Sequence, residues 1–192
     1  MSKLGTLTLF TGCMASGKSA LMLNRVAYLR HLGKTVTVAM HGSSYRDRMY
    51  AISRAGLQEY ALRFKEPNDL LRFTRSGEIL AIDEAQDLEI EFAAAITQLI
   101  DRGYMVIAAG CDTDFRGEPF PIMEWLAAHA TEHTALTAVC TNCLGSATHS
   151  QRLVRGEPAP WDSPIHEQGP PLESYEPRCH AHHEVPGKPE GA

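Results

Sequence analysis

The sequence predicts an α/β fold of the P-loop NTPase-like type: a mostly parallel sheet flanked by helices, with a small zinc-ribbon-like domain at the C-terminus. Three observations predict it. Apolar, β-branched runs alternate with helical periodicity from Leu4 to about Val139, the pattern of strands joined by crossover helices. The first run stops at a glycine, and Gly12 to Ser19, GCMASGKS, matches G-x-x-x-x-G-K-[ST] in full. After Cys140 the periodicity fades, and Pro, Gly, His and Cys accumulate.

The elements follow in order. LGTLTLF, residues 4–10, is a strand. SALMLNRVAYLRHLG is a helix opened at Ser19 and stopped by Gly33. TVTVAM, residues 35–40, is a second, β-branched strand, and HGSSYRDR is a polar loop. PNDLLRFTRSG is a short helix started by Pro67 and ended near Gly77. EILAIDEAQ is a strand running into acids, EIEFAAAITQLIDRG a helix ending at Gly103, and YMVIAAG another strand. CDTDFRGEPF is a loop and PIMEWLAAHA a helix. The expected organisation is an ATP-binding domain over residues 1–138, a zinc-binding domain over 139–185 and a disordered tail over 186–192. Met22, Met49, Met105 and Met123 are expected as core filler.

Composition sets limits on partners. The chain has 192 residues, 44% of them hydrophobic, and a formal net charge of −5. That is enough apolar material for one sizeable core. Mild acidity argues against a sequence-independent nucleic-acid binder, which needs a basic face. No run of about 18 apolar residues is present to span a membrane. The segment before Gly12 is too short and too β-branched for a secretion signal, so a cytoplasmic protein is expected.

The glycine loop carries the first chemistry. Successive backbone N–H groups at this spacing curl around a phosphate, and the following helix points its positive end at it. Gly12 and Gly17 permit the tight turn, Lys18 neutralises β- and γ-phosphate oxygens, and Ser19 ligates Mg²⁺. The residues between, Cys13, Met14, Ala15 and Ser16, supply the remaining backbone of the ATP cradle. Asp83 ends the apolar strand ILAID, where an acid that holds Mg²⁺ belongs. Glu84 follows at once and is read as a general base, with helix capping as its blander role. Cys140-x2-Cys143 and Cys179-x2-His182 form two pairs at metal-ligand spacing, which together give a closed, structural Zn²⁺ site. His180 and His183 compete for the fourth position. Cys13 and Cys111 stand alone.

Several ordered strings resemble the type II thymidine kinase family: GCMASGKS, SRAGL at Ser53, IDEAQ at Ile82, DTDFRGEPF at Asp112, CTNC at Cys140, QRLV at Gln151 and YEPRCHAHH at Tyr175. The resemblance spans Leu4 to His183 and rests on order and spacing rather than on any one string. It implies transfer of the ATP γ-phosphate to the 5′-hydroxyl of thymidine or deoxyuridine. It implies that Gly12 to Ser19, Asp83, Glu84, Ala85 and Gln86 bind ATP with Mg²⁺, with Glu84 and Lys18 catalytic. Phe115 would line the thymine pocket, and Tyr175 would belong to a lasso loop closing over the nucleoside. Cys140, Cys143, Cys179 and His182 match zinc ligands, and the family is usually a homotetramer.

Three places depart from the family's pattern, all on the acceptor side. Ser44, Tyr45 and Arg46 stand where an acid and an arginine are usual, with Asp47 and Arg48 next in line. Asp87 replaces an aromatic residue, and Pro170 and Pro171 replace a glycine pair. The alternatives left open are a kinase for a different or modified nucleoside, a P-loop ATPase that uses the zinc module to recruit a partner, and a nucleotide-binding module without catalysis. Arg152 is read either as a phosphate contact across the domain boundary or as a solvated surface residue. Arg116 is expected to pair within its own loop.

Overall fold

The computed structural model describes residues 5–42, 49–73, 79–165 and 172–189. Ser44 to Arg48 and the Pro170–Pro171 pair lie outside the described residues. The central sheet has six strands: β1 (Thr6–Gly12), β2 (Val36–His41), β5 (Leu62–Phe64), β6 (Ile79–Asp83), β7 (Met105–Gly110) and β8 (Glu132–Leu136). Their spatial order is β5-β2-β6-β7-β1-β8, and every pairing is parallel. A parallel sheet must be covered on both faces, and the sequence supplies both. Along β1, Leu7 and Leu9 face one layer while Phe10 faces the other. Along β7, Val106 and Ala108 oppose Ile107 and Ala109 in the same way.

Helix α1 (Lys18–His31) covers one face with Met22, Leu23, Val26 and Leu29. The opposite face is covered by α2 (Pro67–Phe73), α3 (Phe92–Asp101) and α4 (Pro121–His129), through Leu70, Phe92, Ile96, Leu99, Ile122 and Leu126. The spacing of the apolar residues in α3 explains its seat. Phe92, Ala95, Ile96 and Leu99 fall at i, i+3, i+4 and i+7, one stripe of a helix.

Two features were not read from the sequence. Between β2 and β5 lies an antiparallel hairpin, β3 (Tyr50–Ile52) with β4 (Gln58–Tyr60). The string SRAGL is its turn: Leu57 N donates to Ser53 Oγ at 3.1 Å, and Ser53 N donates to Leu57 O at 2.8 Å. The hairpin leaves Met49 58% exposed, so this methionine is not core filler, whereas Met22 and Met123 are buried. The second feature is β8, a parallel edge strand beside β1.

The sheet ends at Leu136, and a small ribbon follows. It contains β9 (Ala138–Val139) paired with β10 (Ser146–Ala147), and β11 (His149–Val154) paired with β12 (Glu157–Pro158) and β13 (Glu173–Arg178). Residues 186–189, part of the expected tail, are exposed and touch Trp161. Trp161 N donates to Pro186 O at 2.8 Å, and Lys188 Nζ sits 5.4 Å from the Trp161 ring centre.

Candidate active site

The carboxyl ends of β1, β6 and β7 converge on one site. The loop after β1 bends through Ala15 (φ 64°) and Gly17 (φ 96°) before α1 begins at Lys18. Left-handed residues alternating in a loop turn successive N–H groups inward to form an anion-binding nest. At Gly12 a side chain is barred, since a Cβ would lie 2.2 Å from Leu136 O of β8. At Gly17 nothing stands within 4 Å of a Cβ position, so the cradle's mouth is open. Ser16 Oγ, inside the loop, is buried with no hydrogen-bond partner among the described residues. A buried orphan hydroxyl in a nest of amides suits a phosphate oxygen. Lys18 is buried and folds back, its Nζ donating to Cys13 O at 2.8 Å.

Asp83 ends β6, two strands away from β1, because β7 lies between them. It nevertheless reaches the loop: Ser19 Oγ donates to Asp83 Oδ1 at 2.9 Å. The two oxygens form a hard donor set of the kind Mg²⁺ takes with phosphates. Burial, reinforced by the charge of Glu84, pushes the Asp83 carboxyl up to about 7. Such a group favours a cation beside it.

Glu84 adopts the left-handed conformation (φ 53°, ψ 46°), which a residue with a Cβ rarely takes. Strain of this kind costs about 1–3 kcal/mol and collects at functional sites. Its carboxylate is held by Gln86, whose Nε2 donates to Glu84 Oε2 at 2.8 Å. The other end of that amide accepts from Cys111 N at 2.9 Å. Ala85, fully buried, packs beneath the acids. Asp87 is not set bare against the site, since its Oδ1 lies 3.4 Å from Gln86 Nε2.

Phe115 and Tyr175, the residues expected on the acceptor side, each neighbour Arg152. Phe115 is 3% exposed, with the guanidinium carbons of Arg116 and Arg152 at 4.9 and 5.2 Å from its ring centre. Tyr175 sits opposite Arg152 in the β11–β13 register. Burial raises its phenol far above the usual range, and a hydrogen bond to Glu173 adds to the effect, so it stays protonated.

Arg152 is not the solvated surface residue of the second reading. It is fully buried, with Nε 3.1 Å from Glu173 Oε1 and a hydrogen bond to Pro164 O. Arg116 does pair with Asp114, at 3.5 Å, but its firmer bonds leave the loop. Nε donates to Trp161 O at 2.7 Å and one terminal nitrogen to Ser163 O at 2.5 Å. Arg116 thus ties Trp161 and Ser163 to the loop after β7, and Arg152 ties Pro164 to β11. Only separation in sequence concealed them, since their partners are distant carbonyls.

The ribbon also touches the phosphate loop itself. Met14 N donates to Ser150 Oγ at 2.9 Å, and Cys13 Sγ lies 3.4 Å from Ala147 O. Next to this contact the ribbon gathers Cys140, Cys143, Cys179 and His182, whose ligand atoms all lie within 4.8 Å of one another. Three edges of the set are 3.1 Å for Cys179 Sγ to His182 Nδ1, 3.7 Å for Cys143 Sγ to Cys179 Sγ and 4.0 Å for Cys140 Sγ to His182 Nδ1. A tetrahedron with Zn–S of about 2.3 Å has edges of about 3.7 Å, so the set is compatible with zinc. Burial works against ionising Cys140, yet the backbone N–H groups of Cys179, Cys143 and Asn142 outweigh it and bring the thiol down to about 6. His183 is engaged elsewhere, its Nε2 meeting Phe115 O at 2.8 Å.

A phosphate nest beside the Asp83–Glu84 pair at a strand end is the arrangement of a P-loop nucleotide-dependent phosphotransferase. The chain belongs to the thymidine kinase family, whose model matches residues 5–183. A thymidine kinase of Coprothermobacter proteolyticus is 40% identical over 186 residues, covering 96% of this chain and 93% of that protein. One from Thermococcus kodakarensis is 35% identical over 197 residues, covering 95% of each. The flagellar accessory protein FlaH of Methanocaldococcus jannaschii superposes with a TM-score of 0.46 at 12% identity, over 75% of this chain and 76% of that one. Among the described residues no helix is long and apolar enough to cross a membrane.

Proposed function

We propose that the chain is an ATP-dependent thymidine kinase that transfers the γ-phosphoryl group to the 5′-hydroxyl of thymidine, giving the 5′-monophosphate. Its membership of the family supports the reaction and the nucleoside acceptor. The observation that carries the residue roles is the contact of Ser19 with Asp83 at 2.9 Å, with Glu84 next in the chain and fixed in an uncommon conformation.

The nest from Gly12 to Ser19 binds the triphosphate, with Ser16 Oγ and the loop amides as donors and Lys18 swinging from Cys13 O to the β- and γ-oxygens. Ser19 and Asp83 are the residues that would hold Mg²⁺, which when bound screens phosphate charge. Glu84 orients the 5′-hydroxyl and accepts its proton. Phe115 and Tyr175 line the nucleoside side, and the protonated phenol of Tyr175 donates rather than repels. Little covalent chemistry is asked of the protein, because positioning and charge carry phosphoryl transfer. Cys140, Cys143, Cys179 and His182 would hold a structural Zn²⁺ with no open position. The family resemblance supports a cytoplasmic homotetramer with no nucleic-acid or membrane partner.

The test is a product assay with ATP and Mg²⁺ against a nucleoside panel, beside Glu84→Gln. Thymidine monophosphate is expected, with a loss of about 10²-fold or more in the variant. Phosphorylation of a different nucleoside alone would overturn the acceptor. Nucleoside-independent ATP hydrolysis would point to the ATPase reading instead.

A further inference from the structure

We propose that Gln86 is a positioning residue for the reaction, acting by aiming the Glu84 carboxylate. The inference rests on Glu84 being the base. Its substance is a three-point relay across the site. Cys111 N, just past β7, donates to Gln86 Oε1 at 2.9 Å, and Gln86 Nε2 donates to Glu84 Oε2 at 2.8 Å. The backbone donor fixes which way the amide faces. Its oxygen must point at Cys111 and its nitrogen at Glu84, because a flipped amide would set two donors together and leave carboxylate against carbonyl oxygen.

The surroundings leave the amide little freedom. A Cβ on Gly110 would lie 2.8 Å from Gln86 Oε1, 2.9 Å from Gln86 N and 2.9 Å from Met123 Sδ. The single 3-10 turn Ala85–Asp87 that carries Gln86 is therefore pressed against the end of β7. Strand β7 lies between the phosphate-loop strand and the acid-bearing strand. Gln86 thus references the carboxylate to the middle of the sheet as well as to its own turn. The bond to Gln86 restrains where the Glu84 carboxylate points.

The test is a kinetic double-mutant cycle on the full chain with ATP, Mg²⁺ and thymidine. Gln86→Glu keeps the acceptor for Cys111 N and the side-chain length but loses the donor to Glu84. Gln86→Leu loses both. Each is expected to lower kcat about 10- to 100-fold while the KM for ATP and for thymidine stays within about threefold. In the Glu84→Gln background, Gln86→Leu is expected to cost less than about twofold more, because a residue that acts only through another adds nothing once that one is gone. A wild-type kcat for Gln86→Glu overturns the proposal, and so does a full, multiplicative loss in the Glu84→Gln background. Wild-type activity of Glu84→Gln alone instead sinks the base assignment on which the proposal stands. Calorimetric ATP binding on each variant separates a folding defect from a loss of aim.

Discussion

Replacing Arg152 with methionine removes a guanidinium that is completely buried, with Glu173 as its ion-pair partner at 3.1 Å and only 7% of the Glu173 side chain exposed. The thioether fills much of the volume, so the cost is chiefly electrostatic. Glu173 is left in the interior beside the Tyr175 phenol without the guanidinium that balanced its charge. Breaking a buried pair from one side costs about 3–5 kcal/mol. At about 2–4 °C per kcal/mol for a chain of this size, the melting temperature should fall by roughly 6–20 °C. Arg152→Met with Glu173→Leu removes both charges and should recover most of the loss, since replacing a whole buried pair with apolar groups is often neutral. Scanning calorimetry of zinc-loaded protein is the assay. The thymidine KM should rise in parallel, because Phe115 loses the guanidinium 5.2 Å from its ring centre and Pro164 O loses its donor. A single variant melting within about 2 °C of wild type would refute the reasoning. So would a double variant as unstable as the single one, because the stranded charge would then not be the cause.

Gly12→Ala puts a methyl 2.2 Å from Leu136 O at a φ of 138°, so ATP affinity measured by calorimetry should drop about tenfold or more. Arg116→Ala removes two bonds from a charged donor to Trp161 O and Ser163 O. Limited proteolysis near Trp161 should speed up, and the thymidine KM should rise about tenfold. Cys143→Ser should lower bound zinc, read by atomic emission, from about one per chain to well below it. The fourth prediction concerns His149, whose folded-state pKa is lowered by burial and by the neighbouring charges of His183 and His180. The unfolded chain takes up a proton near pH 6.5 that the folded one resists, so stability should fall as pH drops from about 7 to about 5. His149→Gln should flatten that slope in urea titrations at each pH, and an unchanged slope would assign it to other groups.

What was legible in the sequence was local. GCMASGKS declares a phosphate nest because the nest is made by consecutive residues. The strand before Asp83 and the Cys-x2-Cys and Cys-x2-His pairs are equally self-contained, and the four metal-type ligands do meet. The parallel sheet was legible because alternating elements at this spacing allow little else. The hairpin at Tyr50–Tyr60 was missed because its strands are three residues each, too short for a period to register. Arg152 was misjudged because an arginine in a strand reads as solvated unless its buried partner is known. Glu173 comes twenty-one positions later (173 − 152), across the ribbon. Gln86 is expected from the sequence as an ATP-binding residue, with nothing to show a link to Cys111. Its bond to Cys111 depends on β7 being inserted between β6 and β1, which is a fact of topology.

The ribbon's grip on the phosphate loop has a consequence for how such chains can change. Met14 N is held by Ser150, Cys13 lies against Ala147, and Cys13 and Cys140 share one small apolar cluster. The donor cradle is therefore finished by a segment more than a hundred residues downstream. A recombinant that kept the sheet and exchanged the ribbon for one of different length would disturb its grip on ATP as well as its choice of nucleoside. Inheritance in this chain is expected to run across the boundary near residue 138, with a hydroxyl kept at position 150 to accept from the backbone N–H of residue 14.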